Sequence, residues 1–592
     1  MLIATPPVRR LLLPLLALSL LPAVSLAAAE STAPIVEIDA QTRLRTSAAP
    51  PFQAVVRVLH VGTTEERLEV RAIRIRDDRG QVLAEVRPEA EAHALGDVWE
   101  RLEPLRRMEH DEVYLYAGHE DANAMFARLE RSAVARSLRV DLQALNPRWT
   151  TGIRLGLHVQ VDVSSSLAGD FSIEQKLDID ILRPLPSRRF PAGMPPGNFF
   201  LGDTHVHSAW TDCDNVFRAI FPIGPGGHNP RREDDDIRSL YTAAGLSWVA
   251  LADHCYCVHQ GQYGDLHAEA ETFSVPGFQI IPGLEISTRE EHIEGSGQCG
   301  NDGFNTAHFN AIGMTPNTTN FDYYGLFGRR FACETLPLTF QSQAPHVQGA
   351  IFSHRSLASS PSGVLSLNHA GGTGLDGDGQ AWNMSETSFA CADSSTETGM
   401  ELINELWDDN QDAASVQRWI RYRLLKGHRV AAYGGSDMHR RRDVIGATFT
   451  GVFADNLSRS AARSVEDGLA QGITFASSGP SLLALFAGPP AAPITTLMGQ
   501  TLDAPAGAPI RLQISFDDGG KPMQLCLKRG VVGAGTEQSV ALDGGDPCLD
   551  VDGSGIASVQ VSAPASETYY RVEARALNDG HWRAFSSALW LR

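Results

Sequence analysis

Between residues 198 and 440, short apolar stretches of strand character recur, and each begins or ends beside a histidine or an acid. They are "LSWVALADH", "FQIIPGLEIS", "HFNAIGM", "GVLSLNHAGG", "MELINE" and "RVAAYGGSDMH", and polar loop residues follow each one. "DAASVQRWIRYRLLKG" has the apolar spacing of a helix and stops at a glycine. Strand–loop–helix alternation at this length predicts a closed α/β barrel whose functional residues sit in loops at the strand ends.

The rest of the chain has another texture. Its 592 residues exceed what one hydrophobic core organises. Residues 31–190 alternate in strand fashion, as in "FQAVVRVLHV", "RLEVRAIRIRD", "RSLRVDLQAL", "IRLGLHVQVDV" and "QKLDIDIL", with one helix expected around "ANAMFARLERSAVA". This predicts a β-sandwich, followed by a Pro-rich linker over 183–197. The barrel region is expected over 198–485, and alternating strands over 489–592 predict a second sandwich.

Residues 1–29 place Arg9 and Arg10 before an apolar run that ends in small residues, the pattern of a cleaved secretory signal and thus of a periplasmic or secreted protein. That run is short for a membrane span and is interrupted by Pro14 and Pro22, and no second run approaches membrane length. Export permits disulfides. Cys526 and Cys548 stand alone in the last hundred residues and are expected to pair, while the six others (Cys213, Cys255, Cys257, Cys299, Cys333 and Cys391) leave their connectivity open. A net charge of −20 argues against coating a nucleic acid and favours small substrates or neutral surfaces.

Thirteen of the nineteen histidines lie between residues 198 and 440, which points to metal chemistry there. His205 and His207 are two residues apart at a strand end, so they share a face and can reach one ion. His254 follows "VALAD", Glu285 follows "IIPGL", His308 opens "HFNAIG", His369 follows "VLSLN", and Asp437 and His439 follow "VAAYGG". Any one of these alone reads as a loop residue or a hydrogen-bonded core group. Imidazoles and carboxylates converging in a buried place are costly unless paired or metal-bound, so the ordered series favours ligation. His292 rivals His308 and His354 rivals His369, but the preferred pair have the stronger strand context. Asp203 is expected to orient a ligand imidazole or to form a turn, and Glu401 and Asn404 to hydrogen-bond near the site without being ligands.

The motifs "DTHVHSAWTDC", "ALADH", "GLEIS" with "HFNAIG", "LSLNHAGG", "MELINE" and "GGSDMH", followed by "IGATFTGVF" and "GLAQGITFASSGP", occur in an order that resembles the PHP (polymerase and histidinol phosphatase) family over roughly residues 198–480. The resemblance implies an α/β fold with a central distorted (β/α)7 barrel, here flanked by N-terminal and C-terminal β-sandwiches, and a trinuclear metal site that hydrolyses phosphate esters. It places His205, His207, Glu285 and Asp437 on one ion, with Glu285 bridging to a second ion held by His308 and His369. Asp212, His254 and His439 would hold the third. The donors are all oxygen or nitrogen, which suits zinc, manganese or iron, three ions per chain being expected.

Such a site predicts a metal-dependent phosphoesterase in which a metal-bridging hydroxide attacks phosphorus, Glu285 and Asp437 set the nucleophile through the ions, and His439 assists the substrate oxygens. Arg440, Arg441 and Arg442 follow the last ligand and are candidates to bind substrate phosphate, as are His228, Arg231 and Arg232; a solvated basic loop is the plain reading of each cluster. The expected partner is a small phosphorylated molecule, with no nucleic acid and no membrane span after signal cleavage. The sandwiches are expected to bind a surface or to pack on the barrel. Two other readings stay open: a metal-dependent amide or ester hydrolase, and a non-catalytic exported binding protein with a structural metal.

Overall fold

The computed structural model describes residues 35–40, 43–45, 52–60, 68–87, 132–140, 153–166, 169–182, 190–191, 193–194, 196–208, 230–254, 262–289, 306–313, 364–371, 373–375, 381–383, 397–405, 407–438, 445–542 and 545–592. The expected signal over 1–29 and the six cysteines before residue 400 lie outside them. No helix among the described residues is long and apolar enough to cross a membrane.

The described residues up to 182 contain eight strands: β1 (Ile35–Ala40), β2 (Arg43–Arg45), β3 (Phe52–His60), β4 (Leu68–Asp77), β5 (Val82–Val86), β6 (Ser132–Val140), β7 (Ile153–Ser165) and β8 (Gly169–Leu182). They form a three-stranded sheet β1-β3-β6 and a five-stranded sheet β2-β8-β7-β4-β5. Ile38 of β1 packs in one cluster with Ile73, Val159, Val161 and Ile179, so apolar residues two apart turn to a common interior, as a half-buried sheet requires. The end of the stretch read as helical, Ser132–Ala135, belongs to β6. Strand pairing there satisfies the backbone over the whole of Phe52–His60 and overrides the local helical preference.

The central strands are β9 (Asn198–Val206), β10 (Trp248–Leu251), β11 (Asp253–His254), β12 (Gln279–Ile281), β13 (Gly283–Arg289), β14 (Thr306–Ile312), β15 (Val364–Leu367), β16 (Thr373–Leu375), β17 (Ala381–Asn383), β18 (Gly399–Asn404), β19 (Ala431–Gly435), β20 (Phe449–Ala454), β21 (Thr474–Ser477) and β22 (Leu482–Gly488). The helices among the described residues are α1 (Pro230–Ala243), α2 (Gln262–Phe273), α3 (Gln411–Tyr422) and the six-residue α4 (Val465–Ala470). The predicted helix at 412–427 is therefore α3, closed by a short 3-10 turn and by Gly427 at φ 84°. That left-handed conformation ends helices at glycine because no Cβ opposes it.

The expected (β/α)7 barrel is not formed. Its strands divide between two sheets, β11-β13-β14-β15-β18-β19 and a twelve-stranded sheet that begins β12-β10-β9-β20-β21. β13 and β14, β14 and β15, β9 and β20, and β20 and β21 are all antiparallel. Antiparallel neighbours need no crossover helix, which is why four α-helices suffice among the described residues. An apolar strand followed by a polar loop carries no record of its neighbour's direction, so the sequence pattern was compatible with either arrangement.

Past β21 the larger sheet continues through Arg583–Ser586, Thr568–Ala576 and Met523–Val531. A four-stranded sheet containing β22, Pro509–Asp517 and Ser554–Ser562 packs on it, and Leu485, Leu512, Ile514, Leu527 and Val572 share one core. The C-terminal strands thus form two facing sheets, one of which is the continuation of a central sheet. Cys526 and Cys548 sit directly opposite each other on paired strands and are joined by a disulfide.

Candidate metal centre

β9 carries His205 to its end, and β19 runs beside it: His207 N–H donates to Met438 O at 3.0 Å and Met438 N–H to His205 O at 3.4 Å. This cross-connection brings the residues after β19 against those after β9. Nε2 of His205 lies 3.1 Å from Nε2 of His207, 3.2 Å from Oδ1 of Asp437 and 3.3 Å from Oε1 of Glu285. Nε2 of His207 is 3.1 Å from the same Asp437 oxygen and 3.7 Å from Oε2 of Glu285. A second group shares Glu285, whose Oε1 is 3.0 Å from His308 Nδ1 and 3.5 Å from His369 Nε2.

Metal–donor bonds of about 2.0–2.2 Å place neighbouring donors about 3–3.6 Å apart around a four- or six-coordinate ion. The observed spacings match that edge length closely, so both groups could hold a metal ion: His205, His207 and Glu285, with Asp437 beside them, and Glu285, His308 and His369. Every donor is nitrogen or carboxylate oxygen. His205, His207, Glu285 and His308 are buried, His369 is half-buried, and the Asp437 side chain, 23% exposed, is the most open of the six.

The surroundings hold these side chains in place. Asp203, expected to orient an imidazole or to form a turn, meets no imidazole among the described residues. Its Oδ1 accepts the N–H groups of His205 and Ser436, both at 3.0 Å, and its Oδ2 accepts the Tyr241 hydroxyl at 3.0 Å. It thereby ties the strand carrying His205 to the turn carrying Asp437. Burial pushes the Asp203 carboxyl up to about 6. Asn368 donates to Glu285 Oε1 at 3.0 Å and to Asn310 Oδ1 at 2.7 Å, while Asn310 donates to Thr204 O at 3.0 Å.

Backbone and charge both mark the cluster. His369 and Asp437 have φ of 28° and 50°, a left-handed conformation that non-glycine residues adopt at a cost of order 1–3 kcal/mol. At His205, burial works against the charged ring, but Asp437, Glu401 and Glu285 outweigh it and raise its pKa well above the usual histidine value. A field that holds a proton this firmly also favours a divalent cation in its place.

Of the other candidates, His254 pairs in register with Glu285 across β11 and β13, and its side chain lies outside the described residues. So do Asp212, His439, Arg440, Arg441, Arg442, His228, Arg231, Arg232, His292 and His354. Tyr241, Asn310 and Asn368 were not singled out in the sequence. A tyrosine on α1, an asparagine within β14 and another just past β15 carry no pattern that separates them from ordinary core polar groups.

No family model and no curated protein matches the sequence. Among solved structures, a putative β-galactosidase from Bacteroides fragilis is 8% identical, with 94% of this chain and 73% of that chain covered at a TM-score of 0.19. Bacteroides uniformis β-glucuronidase 2 is 9% identical, with 94% of this chain and 61% of that chain covered, also at 0.19. A Northeast Structural Genomics Consortium target is 11% identical over 26% of this chain and 95% of that chain, at 0.14. Likenesses this slight carry no argument about fold or activity.

Proposed function

We propose that the chain is a metal-dependent phosphoesterase. The observation that carries the reading is the convergence of His205, His207, Glu285 and Asp437 at 3.1–3.7 Å, with His308 and His369 meeting the same Glu285 at 3.0 and 3.5 Å. His205, His207, Glu285 and Asp437 would hold one ion, and Glu285, His308 and His369 a second. Asp212, His254 and His439 are the candidates for a third. Manganese, zinc and iron all suit this donor set. Such ions, when bound, lower the pKa of water towards neutrality and neutralise phosphoryl oxygens.

The protein's own part is to hold and to admit. Glu285 directs Oε1 to His205, His308 and His369 and Oε2 to His207, so one carboxylate fixes the spacing of both groups. Asp203 pins the turn before Asp437 through Ser436 N–H, which keeps the partly exposed Asp437 at the entrance. A phosphate ester would arrive on that side, and Arg440, Arg441 and Arg442 follow Asp437 closely enough in sequence to meet its charge. The PHP resemblance of the motifs supports the same substrate class, and the reading requires no barrel.

The test uses the full chain, stripped with chelator and reloaded with manganese, against p-nitrophenyl phosphate, bis-p-nitrophenyl phosphate and p-nitrophenyl acetate. Metal-dependent release from either phosphate supports the proposal and decides between monoester and diester. Release from the acetate alone would replace it with carbonyl hydrolysis, and metal binding without any turnover would leave a binding protein.

A further inference from the structure

We infer that Glu401 is a positioning residue that couples the two candidate metal groups; this rests on the metal reading above. Glu401 is buried on β18, and its Oε1 lies 3.2 Å from Nδ1 of His205, the ring nitrogen turned away from the cluster. Accepting the Nδ1 proton leaves the Nε2 lone pair of His205 facing His207, Glu285 and Asp437. It fixes the tautomer and the ring plane together. The second oxygen, Oε2, accepts the backbone N–H of His369 at 3.1 Å and Nδ2 of Asn404 at 3.0 Å.

That backbone contact matters because His369 stands at φ 28°, where something must hold it. Its Nε2 faces Glu285 Oε1 at 3.5 Å in the second group. One carboxylate therefore sets the ring of a donor in the first group and the main chain of a donor in the second. Gly435 on the adjoining strand makes the approach possible: a Cβ there would overlap Oε1 of Glu401 and lie 2.5 Å from Cβ of His205. Glu401 does not enter either group, since its oxygens meet the outer nitrogen of His205 and the backbone of His369. The sequence had placed it near the site, but neither spacing nor strand position shows that it touches both halves.

Glu401→Gln is the discriminating variant, because glutamine offers one acceptor and one donor where both oxygens now accept. Manganese binding to the full chain is measured by equilibrium dialysis with elemental analysis, and the visible spectrum of the cobalt-loaded protein reports donor geometry. Wild type is expected to bind at least two ions. Glu401→Gln should weaken both together, by roughly 10- to 100-fold, and alter the cobalt spectrum, while the metal-free melting temperature stays near that of wild type. If this variant fails to fold, Asn404→Ala, which only loosens Oε2, should weaken both ions by a smaller factor. Loss at one ion alone, unchanged affinity, or a drop confined to metal-free stability overturns the coupling. Absence of metal binding by wild type would instead overturn the metal reading beneath it.

Discussion

Glu285 meets His308 diagonally across an antiparallel pair, with Oε1 3.0 Å from Nδ1. His308 is in register with Ser287, two residues beyond Glu285, so both side chains emerge on one face of β13 and β14. Because the same oxygen also faces His205 and His369, Glu285→Gln is expected to abolish tight binding at both groups, with a loss in kcat/KM of at least about 100-fold. Dialysis and the aryl phosphate assay measure the two effects; a variant that keeps full metal content would remove Glu285 from its shared role.

Gly435→Ala tests the packing behind the candidate ligands. The added methyl must displace either Glu401 or His205, since it would stand 2.5 Å from Cβ of the latter. Metal affinity is expected to fall by at least about tenfold, with a stability loss of about 1–3 kcal/mol from overpacking. Urea unfolding in chelator, compared with metal titration, separates the two. Unchanged affinity would show that the strand yields without moving the ring.

Asp412 gives a prediction about pH. Burial pushes its carboxyl up to about 8, although it accepts N–H groups from Asn404 and Asp408. The folded chain therefore keeps this proton to a higher pH than the unfolded chain, whose carboxyl titrates near 3.8. The contribution is complete below the unfolded value and is lost as pH rises through about 8, with a slope of up to about 1.4 kcal/mol per pH unit. Asp412→Asn should flatten the pH dependence of unfolding free energy between pH about 5 and 8. Parallel curves for the two proteins would refute the assignment.

The Cys526–Cys548 disulfide closes a loop of sequence separation 22. Chain-entropy reasoning gives it about 3 kcal/mol of stability. The double change Cys526→Ser with Cys548→Ser should lower the unfolding free energy of the C-terminal strands by about that amount, read by urea titration, and make it insensitive to reductant. A wild type equally stable with and without reductant would contradict this.

How far the sequence reaches depends on what each residue advertises. His205, His207, Glu285, His308, His369 and Asp437 stand at or within apolar strands and are legible as candidate donors from that position. The structure brings all six together. Strand existence was legible for the same reason, but pairing direction was not: "GLEIS" and "HFNAIG" read alike whether parallel or antiparallel, and their antiparallel pairing is what departs from the barrel. Asp203 reads as a partner for an imidazole or as a turn former, yet its Oδ1 takes the backbone N–H groups of His205 and Ser436 and its Oδ2 the Tyr241 hydroxyl, partners brought to it by α1 and by the turn after β19. The coupling by Glu401 depends on two residues, His205 and His369, that are far from it in sequence and from each other, and no local pattern encodes such a meeting.

The twelve-stranded sheet has a consequence for how this chain can be inherited. Phe475, Ala476 and Ser477 of β21 pair with Ser586, Phe585 and Ala584, and β21 in turn pairs with β20, which borders the strand of His205. Truncation before the last strands would strip β21 of that neighbour and bare a row of backbone donors and acceptors two strands from the histidines, an invitation to aggregate. The tail is therefore not a removable cartridge that recombination can swap or discard. Any lineage that loses it must first find another way to finish that edge.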